Sequence, residues 1–285
     1  MSDLLTVQID GELLDPKTAA VPVTDLGFIR GLGVFEVVRA YEGVCFRLGP
    51  HLERLGRSAQ MLGIKLPSTE DLATWCHRAA ADQTECVVRI MVTAGDDPFD
   101  GTPRTVVTSE ILHSRGTETT LVPVFAPWHA DGADWELLRA KTLSYGNNYG
   151  AIRQAKLAGF DDAILIGRSG RILEGPTFTV GWVVEEHGEV IYETPAMTLG
   201  ILDSITRQLA LDAATDSGLQ FREVEAGLER LDVAIEFFAF STLRDTLAVT
   251  AVGERQFPAG PHTAALRRAM ADRIDKDLAH SMKQR

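Results

Sequence analysis

Apolar and polar residues alternate in Leu5-Thr-Val-Gln-Ile-Asp10, the two-residue period of a strand, before a turn at Asp10-Gly11. A second run, Val34-Phe-Glu-Val-Val-Arg-Ala-Tyr41, follows Asp25-Leu-Gly27 and the glycines Gly31 and Gly33. Glu42-Gly43 turns it into a strand-like Val44-Cys-Phe-Arg-Leu48. The period then changes. Pro50 suits a helix start, and His51 to Leu62 places Leu52, Leu55, Ala59 and Leu62 on one helical face, with Gly63 as C-cap. Ser68-Thr-Glu-Asp71 has the spacing of a capping box and predicts a second helix to about Ala81. Val87–Thr93 and Thr105–Leu112 read as strands that complete an α+β unit.

The polar, aperiodic Ser114-Arg-Gly-Thr-Glu-Thr119 marks a boundary, so the expected division is 1–114, a linker 115–120, and 121–285. In the second part Leu121–Phe125 and Leu137–Tyr145 predict strands, and Tyr149 to Ala158 predicts a helix ended by Gly159. Ala163–Gly167 pairs with Arg171–Leu173 across Arg168-Ser-Gly170. Val180–Glu185 and Glu189–Tyr192 form a hairpin around His187-Gly188. Asp203 and Ser204 offer caps to a helix over Ile205–Ser217, which Gly218 ends. Ile235–Phe240 and Thr246–Val252 are apolar strands, and a last amphipathic helix begins near Pro261. The elements do not alternate strictly as βαβ, so the expected class is α+β rather than a doubly wound sheet.

Composition narrows the function. The 285 residues carry 28 basic against 40 acidic side chains, a net charge of −12, which disfavours a nucleic-acid partner. An apolar fraction of 45% excludes disorder as the main state. No stretch approaches the roughly 20 apolar residues of a membrane span. The opening residues lack the basic start and apolar run of a signal peptide, and Cys45, Cys76 and Cys86 are odd in number without metal spacing. The expectation is a cytoplasmic enzyme with no metal site. A Walker loop, a Gly-x-Gly-x-x-Gly and a serine nucleophile elbow are all missing.

Of the six lysines, Lys141 stands apart because it lies within the apolar run Leu137–Tyr145. Partial desolvation there would lower its pKa and make the amine nucleophilic. A half-buried structural lysine is the alternative. Pyridoxal phosphate (PLP) requires such a lysine, an acid near its pyridine nitrogen and a cup for its phosphate. Glu174, at a strand end before Gly175-Pro176, is the candidate acid; a solvated turn glutamate would look the same. Ile205-Thr206 at a helix start is the candidate cup, with Arg54, Ser241 and Thr242 as further donors. A plain capped helix start is the alternative there.

In order along the chain these residues resemble the fold-type IV PLP-dependent enzymes (class IV aminotransferases), which include branched-chain and D-amino acid aminotransferases and aminodeoxychorismate lyase. The resemblance runs from about Val7 to Val252. It rests on Asp25-Leu-Gly-Phe28 with Gly31-Leu-Gly-Val-Phe-Glu36, His51-Leu-Glu-Arg-Leu55 with Ser58-Ala59, and Lys141-Thr-Leu-Ser-Tyr145. It continues through Ala158–Leu165, Ile172-Leu-Glu-Gly175, Ile205-Thr-Arg207 and Phe238 to Thr242. The resemblance implies a small N-terminal α+β domain and a larger, barrel-like C-terminal domain with the cofactor in the cleft between them. It implies that Lys141 forms the Schiff base and shuttles the Cα proton, and that Glu174 pairs with the pyridinium nitrogen. Arg54, Ile205, Thr206 and Thr242 would then hold the phosphate, with Tyr145 near the phenolic oxygen. A homodimer, a small amino donor and an oxo-acid acceptor are also implied. The reading is an aminotransferase, with aminodeoxychorismate lyase second and a non-catalytic binding protein third.

Departures from the family pattern bear on the substrate. Pro176-Thr-Phe-Thr179 stands where the family has small hydroxyl residues and then Asn. The loop Asp96-Asp-Pro-Phe-Asp-Gly101 is acidic where D-amino acid enzymes carry an Arg-x-His pair. Phe35 would face the substrate. Arg30, Arg39, Arg89 and Arg244 are candidate carboxylate anchors, Arg39 and Arg89 foremost because they stand at family positions.

Overall fold

The computed structural model describes residues 3–113, 116–129, 131 and 135–283, so Ser114 and Arg115 of the expected boundary lie outside it. The chain divides into two units, 1–114 with 139–145 and 276–285, and 115–138 with 146–275. A single cut near residue 115 would send Lys141 to the second unit. Its segment belongs to the first.

The first unit contains β1 (Leu4–Ile9), β2 (Glu12–Leu14), α1 (Leu26–Arg30), β3 (Gly33–Tyr41), β4 (Val44–Cys45), α2 (Leu48–Leu62), α3 (Thr69–Ala80), β5 (Glu85–Thr93) and β6 (Arg104–Ile111). The strands form one antiparallel sheet in the order β2-β1-β6-β5-β3-β4. Asp10-Gly11 and Glu42-Gly43 close two of its hairpins with positive φ at both positions, the geometry that matches strand twist. Along β3, Val34, Val38 and Ala40 face the core, where Leu52 and Leu55 of α2 and Leu72 of α3 meet Val88 and Ile90 of β5. Ser68 caps α3 by accepting from Asp71 N at 3.0 Å. α2 starts two residues before Pro50, because Arg47 adopts a left-handed φ of 49° and turns the chain. The expected strand over Val44–Leu48 therefore stops at Cys45. α1 was not legible in the pattern; Asp25 caps it through a 2.7 Å bond from Gly27 N.

The second unit contains β7 (Glu118–Phe125), α4 (Gly146–Leu157), β8 (Asp162–Ile166), β9 (Thr179–Glu186), β10 (Glu189–Pro195), α5 (Ile205–Ser217), β11 (Gln220–Val224), β12 (Ala234–Ser241), β13 (Asp245–Val252), β14 (Arg255–Gln256) and most of α6 (Pro261–Lys283). Its sheet is mixed, in the order β11-β10-β9-β12-β13-β7-β8 with β14 on β13. Fully buried Trp182 stacks on Phe237 at 5.9 Å at the centre of its core. Part of the expected linker, Glu118 to Thr120, belongs to β7, since these residues pair in parallel with β13.

The largest correction concerns Leu137–Tyr145. Instead of a strand, Glu136–Arg139 forms a 3₁₀ turn and residues 141–143 make one bridge to β3. Phe35 N donates to Lys141 O at 3.0 Å and Leu143 N to Gly33 O at 2.9 Å. Gly33 permits this approach: a Cβ there would meet Leu143 Cδ1 at 2.5 Å and Val92 O at 2.8 Å.

Candidate active site

In the first unit the alternation along β3 sorts the side chains. Phe35, Val37, Arg39 and Tyr41 occupy one face. Glu36 falls on the core face with Val34 and Val38, and is fully buried. A carboxylate there requires cationic partners. α2 supplies them: Arg54 grips Glu36 bidentately through Nε and Nη2, both at 2.7 Å, and His51 Nδ1 lies 2.7 Å from its second oxygen. Burial opposes ionisation of Glu36, but the Arg54 and His51 contacts outweigh it and hold the carboxyl down to about 2. Burial also lowers the His51 pKa below its usual 6.5, against the pull of Glu36.

The bridge to β3 sets Lys141 beside Phe35. Its Nζ lies 4.3 Å from the centre of the Phe35 ring, and donates to Tyr145 Oη at 3.4 Å. Phe35 and Tyr145 meet edge to face at 5.1 Å. The Lys141 backbone is pinned from α2, where Ser58 Oγ accepts its N–H at 3.0 Å. Ser144 Oγ donates to Gly31 O at 3.0 Å. The amine is therefore held in an aromatic corner whose two walls are fixed by backbone bonds.

In the second unit, Arg171–Leu173 returns along β8 and delivers Glu174 at its end, with Leu165 N donating to Glu174 O at 2.9 Å. Glu174 Oε1 accepts from Leu202 N at 3.2 Å. Ser204 caps α5 by accepting from Arg207 N at 3.2 Å. The Ile205 and Thr206 N–H groups, in the first turn, have no intrahelical carbonyl to bond. Thr206 Oγ1 lies 3.3 Å from Thr242 Oγ1, so the helix start and the β12–β13 turn bring two hydroxyls together. Ser241 closes that turn through its carbonyl, which accepts from Arg244 N at 3.1 Å.

Each of the four candidate arginines makes a contact within the protein. Arg39 pairs with Glu85 through Nε at 2.6 Å, and Arg89 with Glu110 at 2.7 Å. Arg89 lies opposite Val37, on the Phe35 face, whereas Arg39 is four residues along β3, roughly 13 Å from Phe35. Arg30 is exposed, with Nη1 donating to the neighbouring Ile29 O at 3.3 Å. Arg244 bonds Asp162 at 2.7 Å and covers the Phe178 ring at 4.7 Å. It serves as an internal contact of its unit. Reasoning from sequence gave no role to Ser58, His51, Glu36, Leu202 or Phe178. A carboxylate on the core face of an amphipathic strand, answered by His-x-x-Arg on a helix, is the signal that would have found the buried trio. A cavity of about 340 Å³ in the second unit, bordered by Lys156, Asp161, Asp162 and Arg244, is neutralised by its own pairs, Lys156–Asp161 at 3.8 Å and Arg244–Asp162.

Comparison with known proteins adds the family. The model of a family described as amino-transferase class IV matches residues 33–252. The D-alanine aminotransferase of Bacillus licheniformis is 29% identical over 98% of this chain and 100% of its own length. A bifunctional aminodeoxychorismate lyase / D-amino acid transaminase of Mycobacterium tuberculosis is 28% identical over 75% of this chain and 79% of its own. Among solved structures, a hypothetical aminotransferase from Mycobacterium tuberculosis in PLP-bound form superposes with a TM-score of 0.87. It is 24% identical and covers 95% of this chain and 99% of that one, a likeness of fold.

Proposed function

Because the chain belongs to the class IV aminotransferases, enzymes that use pyridoxal phosphate, we propose that it is a transaminase moving an amino group from a small amino acid or amine to an oxo acid. The observation that carries this reading is the Lys141 amine, held over Phe35 and beside Tyr145 by the bridge to β3. The donor set suits the cofactor, with an amine for its aldehyde, a carboxylate for its ring nitrogen, and paired hydroxyls at a helix start for its phosphate. When bound, pyridoxal phosphate supplies a carbonyl that accepts the amino group and a ring that takes up electrons as the Cα proton leaves.

Lys141 would act on that proton, taking it from the donor Cα and delivering it to the cofactor carbon that carries the transferred nitrogen, so one group serves as base and then acid. Tyr145 orients the amine and would bond the cofactor's phenolic oxygen. Glu174, fixed by Leu202 N, would keep the ring nitrogen protonated. The Ile205 and Thr206 N–H groups, Ser241 and Thr242 would bind the phosphate, and Arg54, itself locked by Glu36, would add positive charge. Phe35 walls the substrate side. Of the arginines, Arg89 is the carboxylate anchor this reading favours, since it shares the Phe35 face at the shorter distance. Using Arg89 requires it to exchange Glu110 for the donor carboxylate.

The protein works as a homodimer in this reading. Val21, Val23, Phe28 and Ile29 are exposed within nine residues, and Leu26 N bonds Gly95 O at 2.7 Å, at the base of the loop that bears Phe99, 87% exposed. Apolar side chains exposed this close together along the chain support an interface there. Cytoplasmic residence is consistent with free thiols at Cys45, Cys76 and Cys86. Among the described residues no helix is long and apolar enough to cross a membrane. The test of function is a half-reaction with an amino donor and no acceptor, followed by the cofactor's absorbance. A single, self-limiting change that an oxo acid reverses is expected.

A further inference from the structure

Phe178, in the segment where the sequence departs from the family pattern, and Arg244, a candidate carboxylate anchor, meet in the second unit. The Arg244 guanidinium covers the Phe178 ring at 4.7 Å and donates through Nη2 to buried Asp162 at 2.7 Å. Neither contact is an isolated surface pairing. Phe178 O accepts from Gly175 N at 2.8 Å, closing the turn that follows Glu174. The Phe178 ring packs so closely on Gly175 that an added Cβ would meet it at 2.2 Å. Asn148 on α4 holds the same turn from another side, donating to Pro176 O at 2.7 Å. Arg244 in turn donates its backbone N–H to Ser241 O, closing the turn that presents Thr242 to Thr206.

A continuous series of contacts therefore runs from the Thr206–Thr242 hydroxyls through Arg244 and Phe178 to Gly175 and Glu174. We infer that Arg244 is a positioning residue: clamped between Asp162 and Phe178, it fixes the phosphate-side turn and the Glu174 turn relative to each other. The cation on the Phe178 ring ties the turn after Glu174 to the turn that bears Thr242. Each half of the pair has its effect through the other.

This inference rests on the cofactor assignment above, and its test separates the two. Apo-protein is titrated with pyridoxal phosphate and the dissociation constant read from absorbance, for wild type, Arg244→Met, Arg244→Lys, Phe178→Leu and the Arg244→Met/Phe178→Leu double variant. Thermal unfolding of each apo-protein reports folding. Arg244→Met and Phe178→Leu are each expected to weaken binding about ten-fold, the scale of a partly desolvated cation–π contact. The double variant is expected to match the singles rather than multiply them, and Arg244→Lys to recover most of the loss. Phe178→Leu keeps the Arg244–Asp162 pair, so it stands as the test if Arg244→Met does not fold. Wild-type affinity in Arg244→Met or in Phe178→Leu, effects that multiply in the double variant, or no recovery in Arg244→Lys would overturn the inference. Failure of the wild-type protein to bind pyridoxal phosphate would instead overturn the cofactor assignment.

Discussion

Lys141 Nζ sits 4.3 Å from the centre of the Phe35 ring because Phe35 N donates to the Lys141 carbonyl at 3.0 Å. The same pair of residues thus supplies both the backbone bridge and the side-chain contact. The amine that the chemistry needs is positioned by the strand it leans on.

Replacing Lys141 by Gln is expected to abolish the cofactor's amine-dependent absorbance change and to lower turnover by about 10³-fold or more, since nucleophile and proton carrier are lost together. Tyr145→Phe removes one partner of the amine and should cost about ten-fold in turnover, the scale of one hydrogen bond to a charged group. Single-turnover kinetics on both variants checks the ranking.

Gly33→Ala tests how the lysine segment is seated. The new methyl would meet Leu143 Cδ1 at 2.5 Å and the Val92 carbonyl at 2.8 Å. Displacement of the 141–143 bridge should destabilise the protein by about 1–3 kcal/mol and weaken pyridoxal phosphate binding in parallel. Chemical denaturation and an equilibrium titration report the two effects separately.

Glu36 is the buried carboxylate on which Arg54 and His51 converge. Glu36→Ala leaves the Arg54 charge buried without that partner and should cost about 3–5 kcal/mol of stability. The loss is read from urea unfolding of the apo-protein. Arg54→Met, which leaves the carboxylate stranded, should cost a similar amount.

The same trio sets a pH dependence. Glu36 titrates near 2 in the fold against 4.5 ordinarily, so the stability it contributes is complete above about pH 4.5 and is lost as pH falls toward 2. His51 is also lowered in the fold from 6.5, so its neutral state favours folding above that pH and the advantage declines as pH falls below it. Unfolding free energies of wild type, Glu36→Gln and His51→Gln between pH 7 and 3 should show the fall shrinking at its lower end in the first variant. In the second, it should shrink at its upper end.

A control lies in the second unit. Buried Glu193 accepts from Trp182 Nε1 at 2.5 Å and from Arg230 Nε at 2.8 Å, and also pairs with Arg222. Glu193→Gln should lower the melting temperature while leaving pyridoxal phosphate affinity within two-fold of wild type, about 0.4 kcal/mol. Parallel loss of both would show that the network supports cofactor binding.

Much of this fold is written in local chemistry. Paired residues such as Asp10-Gly11 and His187-Gly188 take positive φ, and the two-residue period of β3 and the Ser204 cap of α5 are properties of neighbouring residues. What escaped the sequence depends on distant partners. Leu137–Tyr145 has a strand's apolar content, but its path follows from the opening that Gly33 leaves, a long-range steric fact. Glu36 reads as an ordinary polar position in an alternating strand until α2 brings Arg54 onto it. Arg244 appears as a spare cation near a cleft, because nothing within its own segment reveals Asp162 or Phe178. Lys141, Glu174 and Thr242 were legible as candidates, since their residue types and order carry the chemistry.

The most direct test of the central claim is a single-turnover absorbance experiment on the holoenzyme, mixed separately with D-alanine, L-leucine, an (R)-amine and aminodeoxychorismate, with no acceptor present. Transamination predicts that at least one of the first three donors changes the cofactor's absorbance once and stops until an oxo acid is added. Reaction with aminodeoxychorismate alone, with continuous release of pyruvate and the starting absorbance restored after each turnover, would contradict it and establish the lyase reading instead.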